Sequence, residues 1–159
     1  MIGGTIGAAF FEARFRLRLF LLHGGKVQMK LILCLDDNNG MFFNHRRQSR
    51  DSKVVEDIVS SLDGNRLFIN EYSKSLFESS VYTVLSPKDE VCADDFYFCE
   101  DKPVADIMPD VQTVIVYRWN RVYPSDLNLD IDLTKFELLS TCEFEGSSHH
   151  ITKEVYKTL

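Results

Sequence analysis

The sequence is short of the residues that assemble closed metal and nucleophile sites. Its four histidines are His23, His45, His149 and His150. Adjacent residues on a strand point to opposite faces, so His149 and His150 would not chelate one ion together, even beside Glu143 and Glu145. The four cysteines, Cys34, Cys92, Cys99 and Cys142, include no Cys-x-x-Cys pair, which excludes a zinc knuckle. Asp126, Asp130 and Asp132 lack the glycine and closing glutamate of a calcium loop. No metal site is expected. Walker loop, Gly-x-Ser-x-Gly elbow and Cys–His nucleophile pair are all missing.

Positive charge is scarce too. Eighteen Lys and Arg stand against 24 Asp and Glu, for a formal net charge of -6 and a pI near 5.2. That balance excludes general nucleic-acid binding, which needs a basic surface, although a local basic patch could still hold a phosphate. No run of about 20 apolar residues is free of charge, so a membrane span is not expected. Repeats and low-complexity tracts are absent. Unpaired cysteines, one of them in the apolar stretch around Cys34, fit a reducing bacterial cytoplasm.

What basic charge there is gathers at the start. Residues 1–28 hold Arg14, Arg16, Arg18 and Lys26 against Glu12 alone, which leaves residues 29–159 at -9. The apolar run Ile6-Gly7-Ala8-Ala9-Phe10-Phe11 precedes this charge, whereas a secretory signal places its charge first. Gly24-Gly25-Lys26 can be encoded by a purine-rich run similar to a bacterial ribosome-binding site, and Met29 opens a clean strand. The expectation is a misplaced start, with residues 1–28 a non-native or disordered leader. The alternative is a weakly amphipathic helix lying on a membrane surface.

Residues 29–159 have the material for one α/β domain, since 45% of the sequence is apolar and 12% aromatic. Met29–Leu35 is nearly all apolar, as a strand buried on both faces would be. Asp36-Asp37-Asn38-Asn39-Gly40 ends it as a turn. A crowded segment, residues 41–51, leads into a helix that Asp51 can cap and whose buried face is Val54, Val55, Ile58, Val59 and Leu62. Asp63-Gly64-Asn65 stops that helix. Strands are expected at 66–70, 81–85, 96–99 and 112–119, with short helical pieces at 71–77 and 103–109. A long polar connection spans 120–133. Residues 136–145 and 150–157 flank Gly146-Ser147-Ser148 as a closing hairpin. Helices interleave with strands early and strands dominate late, which predicts a mostly parallel sheet with an antiparallel edge hairpin.

Three groups of residues could carry chemistry. Asn44, His45, Arg46, Arg47, Gln48 and Arg50 precede a helix N-terminus, where arginine forks and free N–H groups could hold a phosphate or carboxylate. The alternative is a solvated loop whose arginines pair with Asp36, Asp37 and Asp51. Asp51 could be a buried acid acting on a heterocycle, or a plain helix cap. Residues 117–124 interleave Tyr117, Trp119 and Tyr123 with Arg118 and Arg121, either to stack bases or to pack a strand end onto the core.

The element order resembles the dihydrofolate reductase fold. In that family a first strand ends in a turn of the Asp-x-x-x-Gly kind, as at Asp36 to Gly40, and a loop and a helix bearing a catalytic carboxylate follow, as at Asp51. Leu67-Phe68-Ile69-Asn70 resembles the strand before the family's cofactor helix, and Val84-Leu85-Ser86 resembles the next. The resemblance implies a single dihydrofolate reductase-like sheet with few helices, NADPH as a possible cofactor and Asp51 at the substrate. Three motifs depart from the family. Arg46-Arg47 stands near the place of its Pro-Trp. Asn70-Glu71-Tyr72-Ser73 replaces its Gly-Arg-x-Thr. Its pyrophosphate-binding Gly-Gly turn has no counterpart between Phe96 and Pro109. A second resemblance, over residues 35–51, 117–124 and 143–151, is to short bacterial proteins labelled ribonuclease Z. It implies RNA processing, although the His-x-His-x-Asp-His motif of ribonuclease Z is absent. The reading that results is a binding or regulatory module for a small anionic or nucleotide-like ligand at residues 46–51, with a divergent NADPH-dependent reductase and an RNA-processing enzyme as alternatives.

Overall fold

A computed structural model describes residues 28–159; the expected leader therefore lies, apart from Gln28, outside the described residues. Its centre is β1 (Met29–Leu35). Successive strand side chains alternate between faces, and β1 uses both. Met29, Leu31, Leu33 and Leu35 enter one core layer, with Phe68, Tyr97, Val114 and Val116. Ile32 and Cys34 face the other, with Val54, Ile58, Phe98 and Trp119. That double burial is why the strand reads as one apolar run.

After β1 come β2 (Gly40–Phe43), β3 (Arg46–Arg47), α1 (Ser52–Ser61), β4 (Leu67–Ile69), β5 (Tyr82–Val84), β6 (Phe96–Phe98), β7 (Val111–Arg118), β8 (Leu127–Asn128), β9 (Glu137–Glu145) and β10 (His150–Lys157). Seven strands form one sheet in the order β5-β4-β6-β1-β7-β10-β9. It is parallel from β5 to β7, and β10 and β9 close it as an antiparallel hairpin. The expected sheet is therefore present. Short 3-10 helices at Glu71–Leu76 and Ala105–Asp110 occupy the two expected helical pieces.

Helix α1 starts where the sequence placed it. Asp51 has extended backbone and accepts from the N–H groups of Lys53 and Val54, which would otherwise lack partners. Val54 and Ile58 sink into the second core layer, each worth about 1.5–3 kcal/mol of apolar burial. Val59, expected on that face, is instead 36% exposed, because it points along the outer side of the helix. Gly64, at φ +81°, turns the chain away.

The crowded segment differs from the loop that the sequence suggested. It is an arm: β2 and β3 pair antiparallel through Asn44-His45, both with positive φ, and β8 from the long polar connection pairs on the other side of β2. A second, three-stranded sheet results, in the order β3-β2-β8. Asp36 anchors it. This acid is fully buried, and its carboxylate accepts from Asn38 N, Gly40 N, Gln48 Nε2 and Tyr123 N at 2.7–3.0 Å. One side chain thus ties the end of β1, the arm and the polar connection together. The connection's own aspartates bond backbone N–H groups as well: Asp126 accepts from Asn44 N in the arm's turn, Asp130 from Val104 N and Ala105 N, and Asp132 from Thr134 N.

Candidate ligand cleft

The arm, α1, the carboxyl end of β6 and the 3-10 helix at Glu71–Leu76 enclose a narrow cleft with about 20 Å³ of free volume, room for about one water. Its walls are apolar and aromatic: Met41, Val54, Ile58, Phe77, Phe98 and Trp119. Its polar lining is Arg47, Gln48, Ser49, Arg50, Asp51 and Glu100. Four of the seven residues singled out in the sequence therefore meet here. Asn44, His45 and Arg46 do not. Asn44 and His45 form the exposed hairpin turn, and Arg46, one residue before Arg47 on a strand, takes the opposite face.

Arg47 is the more engaged of the two arginines in the cleft, and its partner is none of the aspartates considered above. Its guanidinium grips Glu100 with two bonds, Nε to Oε1 at 3.0 Å and Nη2 to Oε2 at 3.1 Å. Its backbone N–H donates to Tyr72 Oη, and the guanidinium lies 4.8 Å from the centre of the Tyr72 ring. Burial works against the Arg47 charge, but the adjacent Glu100 carboxylate outweighs it and holds the pKa above its ordinary value. Glu100 is only 4% exposed and accepts a third bond, 2.6 Å, from Ser73 Oγ. Arg50 stands at the mouth, exposed, with Nη2 on the Ser75 carbonyl at 3.0 Å. It also lines an outer groove with Val55, Val59, Leu76, Phe77 and Val81. Gln48 donates to Asp36, while its buried Oε1 has no hydrogen-bond partner.

Asp51 is 3% exposed and heavily bonded. Beyond its two cap bonds, it accepts from Ser147 N at 2.8 Å and Ser147 Oγ at 3.1 Å in the turn between β9 and β10. Gly146 lies so close that a Cβ there would overlap Asp51 Oδ2. Burial disfavours the charge, but the bonds from Ser147, Lys53 and Val54 prevail and lower the pKa below its ordinary value. The carboxylate is thus held ionised, as a cap and a tether. Cys34, at the cleft floor, is the reverse case: burial pushes its thiol far above the ordinary range.

Sequence reasoning missed Glu100, Ser73 and Ser147. Glu100 had one signal, an acid directly after an all-apolar strand, where α/β sheets place their ligand crevices. The other two had none. Trp119 packs into the cleft wall with 4% exposure and Tyr123 is partly buried against the same core layer, which favours the packing reading of residues 117–124. Among the described residues no three His, Cys, Asp or Glu side chains gather as a metal ion requires, and no helix is long and apolar enough to cross a membrane.

Comparison with family models and with curated proteins finds no match. Among solved structures, the chain is similar to dihydrofolate reductase from Enterococcus faecalis in complex with NADP(H) and RAB-propyl, with a TM-score of 0.61 over 82% of this chain and 95% of that one. The chain has a dihydrofolate reductase-like fold. Sequence identity over the match is 11%, so the likeness extends to the fold alone. The resemblance to proteins labelled ribonuclease Z finds no support in any of these comparisons.

Proposed function

We propose that the protein is a binding or regulatory module on this reductase-like scaffold, taking a small anionic, nucleotide-like ligand in the cleft at residues 46–51. One observation carries the reading: an aromatic-walled cleft with a cation at its mouth. Phe77, Phe98 and Trp119 are only 7%, 2% and 4% exposed, so a flat ring enters where the cleft opens onto the outer groove at Val55, Leu76 and Phe77, and Arg50 is exposed there for a phosphate or carboxylate on that ring. Gln48 Oε1 adds a buried acceptor in search of a donor. Four free thiols agree with a bacterial cytoplasmic setting.

The test is thermal stabilisation by mononucleotides at millimolar concentration, in wild type and in Arg50→Ala. A rise of several degrees in wild type that is lost in the variant is the expected result, and equal shifts would remove the site. A divergent NADPH-dependent reductase, with Asp51 at the substrate, is the second reading, and the fold favours it. It requires Asp51 to work on a ligand, yet hydrogen bonds from Ser147, Lys53 and Val54 already surround that carboxylate. RNA processing would need a basic surface or a metal cluster, and the charge of -9 over residues 29–159 speaks against the first.

A further inference from the structure

In open α/β sheets a dinucleotide sits outside the carboxyl ends of the strands, where the chain switches sides. Here that point lies between β6 and β1: the strands before β6 lie on one side of β1, and β7 lies on the other. Phosphate binding at such a point relies on glycines that let the backbone approach, on N–H groups at a helix N-terminus, and on cations. Beside β6 the glycines are missing, and the N–H groups opening the next 3-10 helix and the Arg47 cation are already used by the chain itself.

Glycine is absent from the whole stretch between Gly64 and Gly146, and Cys99-Glu100-Asp101 follows β6. The next 3-10 helix presents Val104 N and Ala105 N, but both donate to the Asp130 carboxylate at 3.0–3.2 Å. The part-buried cation, Arg47, is held in a two-pronged grip by Glu100, which Ser73 Oγ supports. Asp101, bonded to Asn70 Nδ2 at 2.9 Å, and Glu71 at the end of β4 add negative charge. A pyrophosphate placed here would meet carboxylates and find its donors taken. The residues present do not fit NADPH.

We infer that Glu100 and Asp130 are built-in anions that occupy the phosphate positions of a dinucleotide crevice, so that the cleft binds its ligand without a dinucleotide. Arg47 then becomes an anion site only when the Glu100 carboxylate is removed. The inference concerns Arg47 and Glu100 in the same cleft, and it does not require a mononucleotide to bind at Arg50.

The experiment has two arms. Titration of wild-type protein with NADPH should give no saturable change in cofactor fluorescence up to about 1 mM, a concentration corresponding to roughly 4 kcal/mol of binding. Saturation in the micromolar range would overturn the inference, while leaving a nucleotide site at Arg50 possible. In the second arm, inorganic pyrophosphate should raise the melting temperature of Glu100→Ala by several degrees more than that of wild type, and adding Arg47→Ala should erase the gain. A folded Glu100→Ala protein that responds no more than wild type also overturns it. Should that variant fail to fold, Glu100→Gln, which keeps the shape and frees the Arg47 charge, takes its place with the same outcomes.

Discussion

The two sides of the cleft each bury a carboxylate, and they satisfy it by different means. On the helix side Asp51 is surrounded by backbone N–H and hydroxyl donors, which leave its full negative charge in place. On the arm side Glu100 is matched by Arg47, so its charge is cancelled locally. Neutral donors stabilise an anion through a hydrogen-bonded cage that loses little when one member goes. An ion pair with low exposure is all or nothing, since either partner alone is a stranded charge. The arm side should therefore be the brittle one.

Arg47→Ala is the sharpest test of that contrast. It leaves Glu100 buried without its cation and should cost about 3–5 kcal/mol in urea denaturation. The double variant Arg47→Ala with Glu100→Ala should recover part of that loss, and additive costs would show that the pair is not coupled. Next in size, Gly146→Ala should cost about 1–3 kcal/mol, because its methyl group must displace the Asp51 carboxylate. Asp51→Ala removes the cap and the tether together, for about 1–2 kcal/mol.

Acid gives the Asp51 contrast a direction. Folding holds this carboxyl below its ordinary value of 3.8, so its stabilisation is complete above that pH and is lost as pH falls through the lower folded value. The gap in stability between wild type and Asp51→Asn should stay level above pH 5 or so and narrow below about pH 4. A gap that widened in acid would mean that the folded protein favours the protonated form. The smallest stability effect belongs to Arg50→Ala, within about 0.5 kcal/mol, since that side chain is exposed. Its signature is loss of ligand-induced stabilisation without loss of fold.

What the sequence made legible follows from distance along the chain. β1, α1 and the closing hairpin announce themselves through local signals: a double-faced apolar run, a cap before a 3.6-residue period, and a glycine turn between β-rich segments. The arm was hidden because its turn is Asn44-His45 and not the usual Asn-Gly, so the residues around it read as a loop. In the cleft, Asp51 was recognisable as a cap because its partners are two and three residues away. Its tether to Ser147, 96 residues on, was not. Arg47 was visible as a cation, yet Glu100, its partner, lies 53 residues further along the chain. Local alternatives such as Asp36 and Asp37 looked closer only because sequence distance is a poor guide to pairing.

The Gly146–Asp51 contact also bears on how the protein is made. The β9–β10 hairpin closes onto the cap of α1, and β1 gains both neighbours only once β6 and β7 exist. Contacts of such long sequence separation slow folding, because the chain must close large loops before they can form. A ribosome-bound chain lacking its final turn would hold α1 with only the local half of its anchor. Consolidation should come late, after the hairpin has left the exit tunnel, and a protein cut short before Gly146 should remain a substrate for chaperones and proteases.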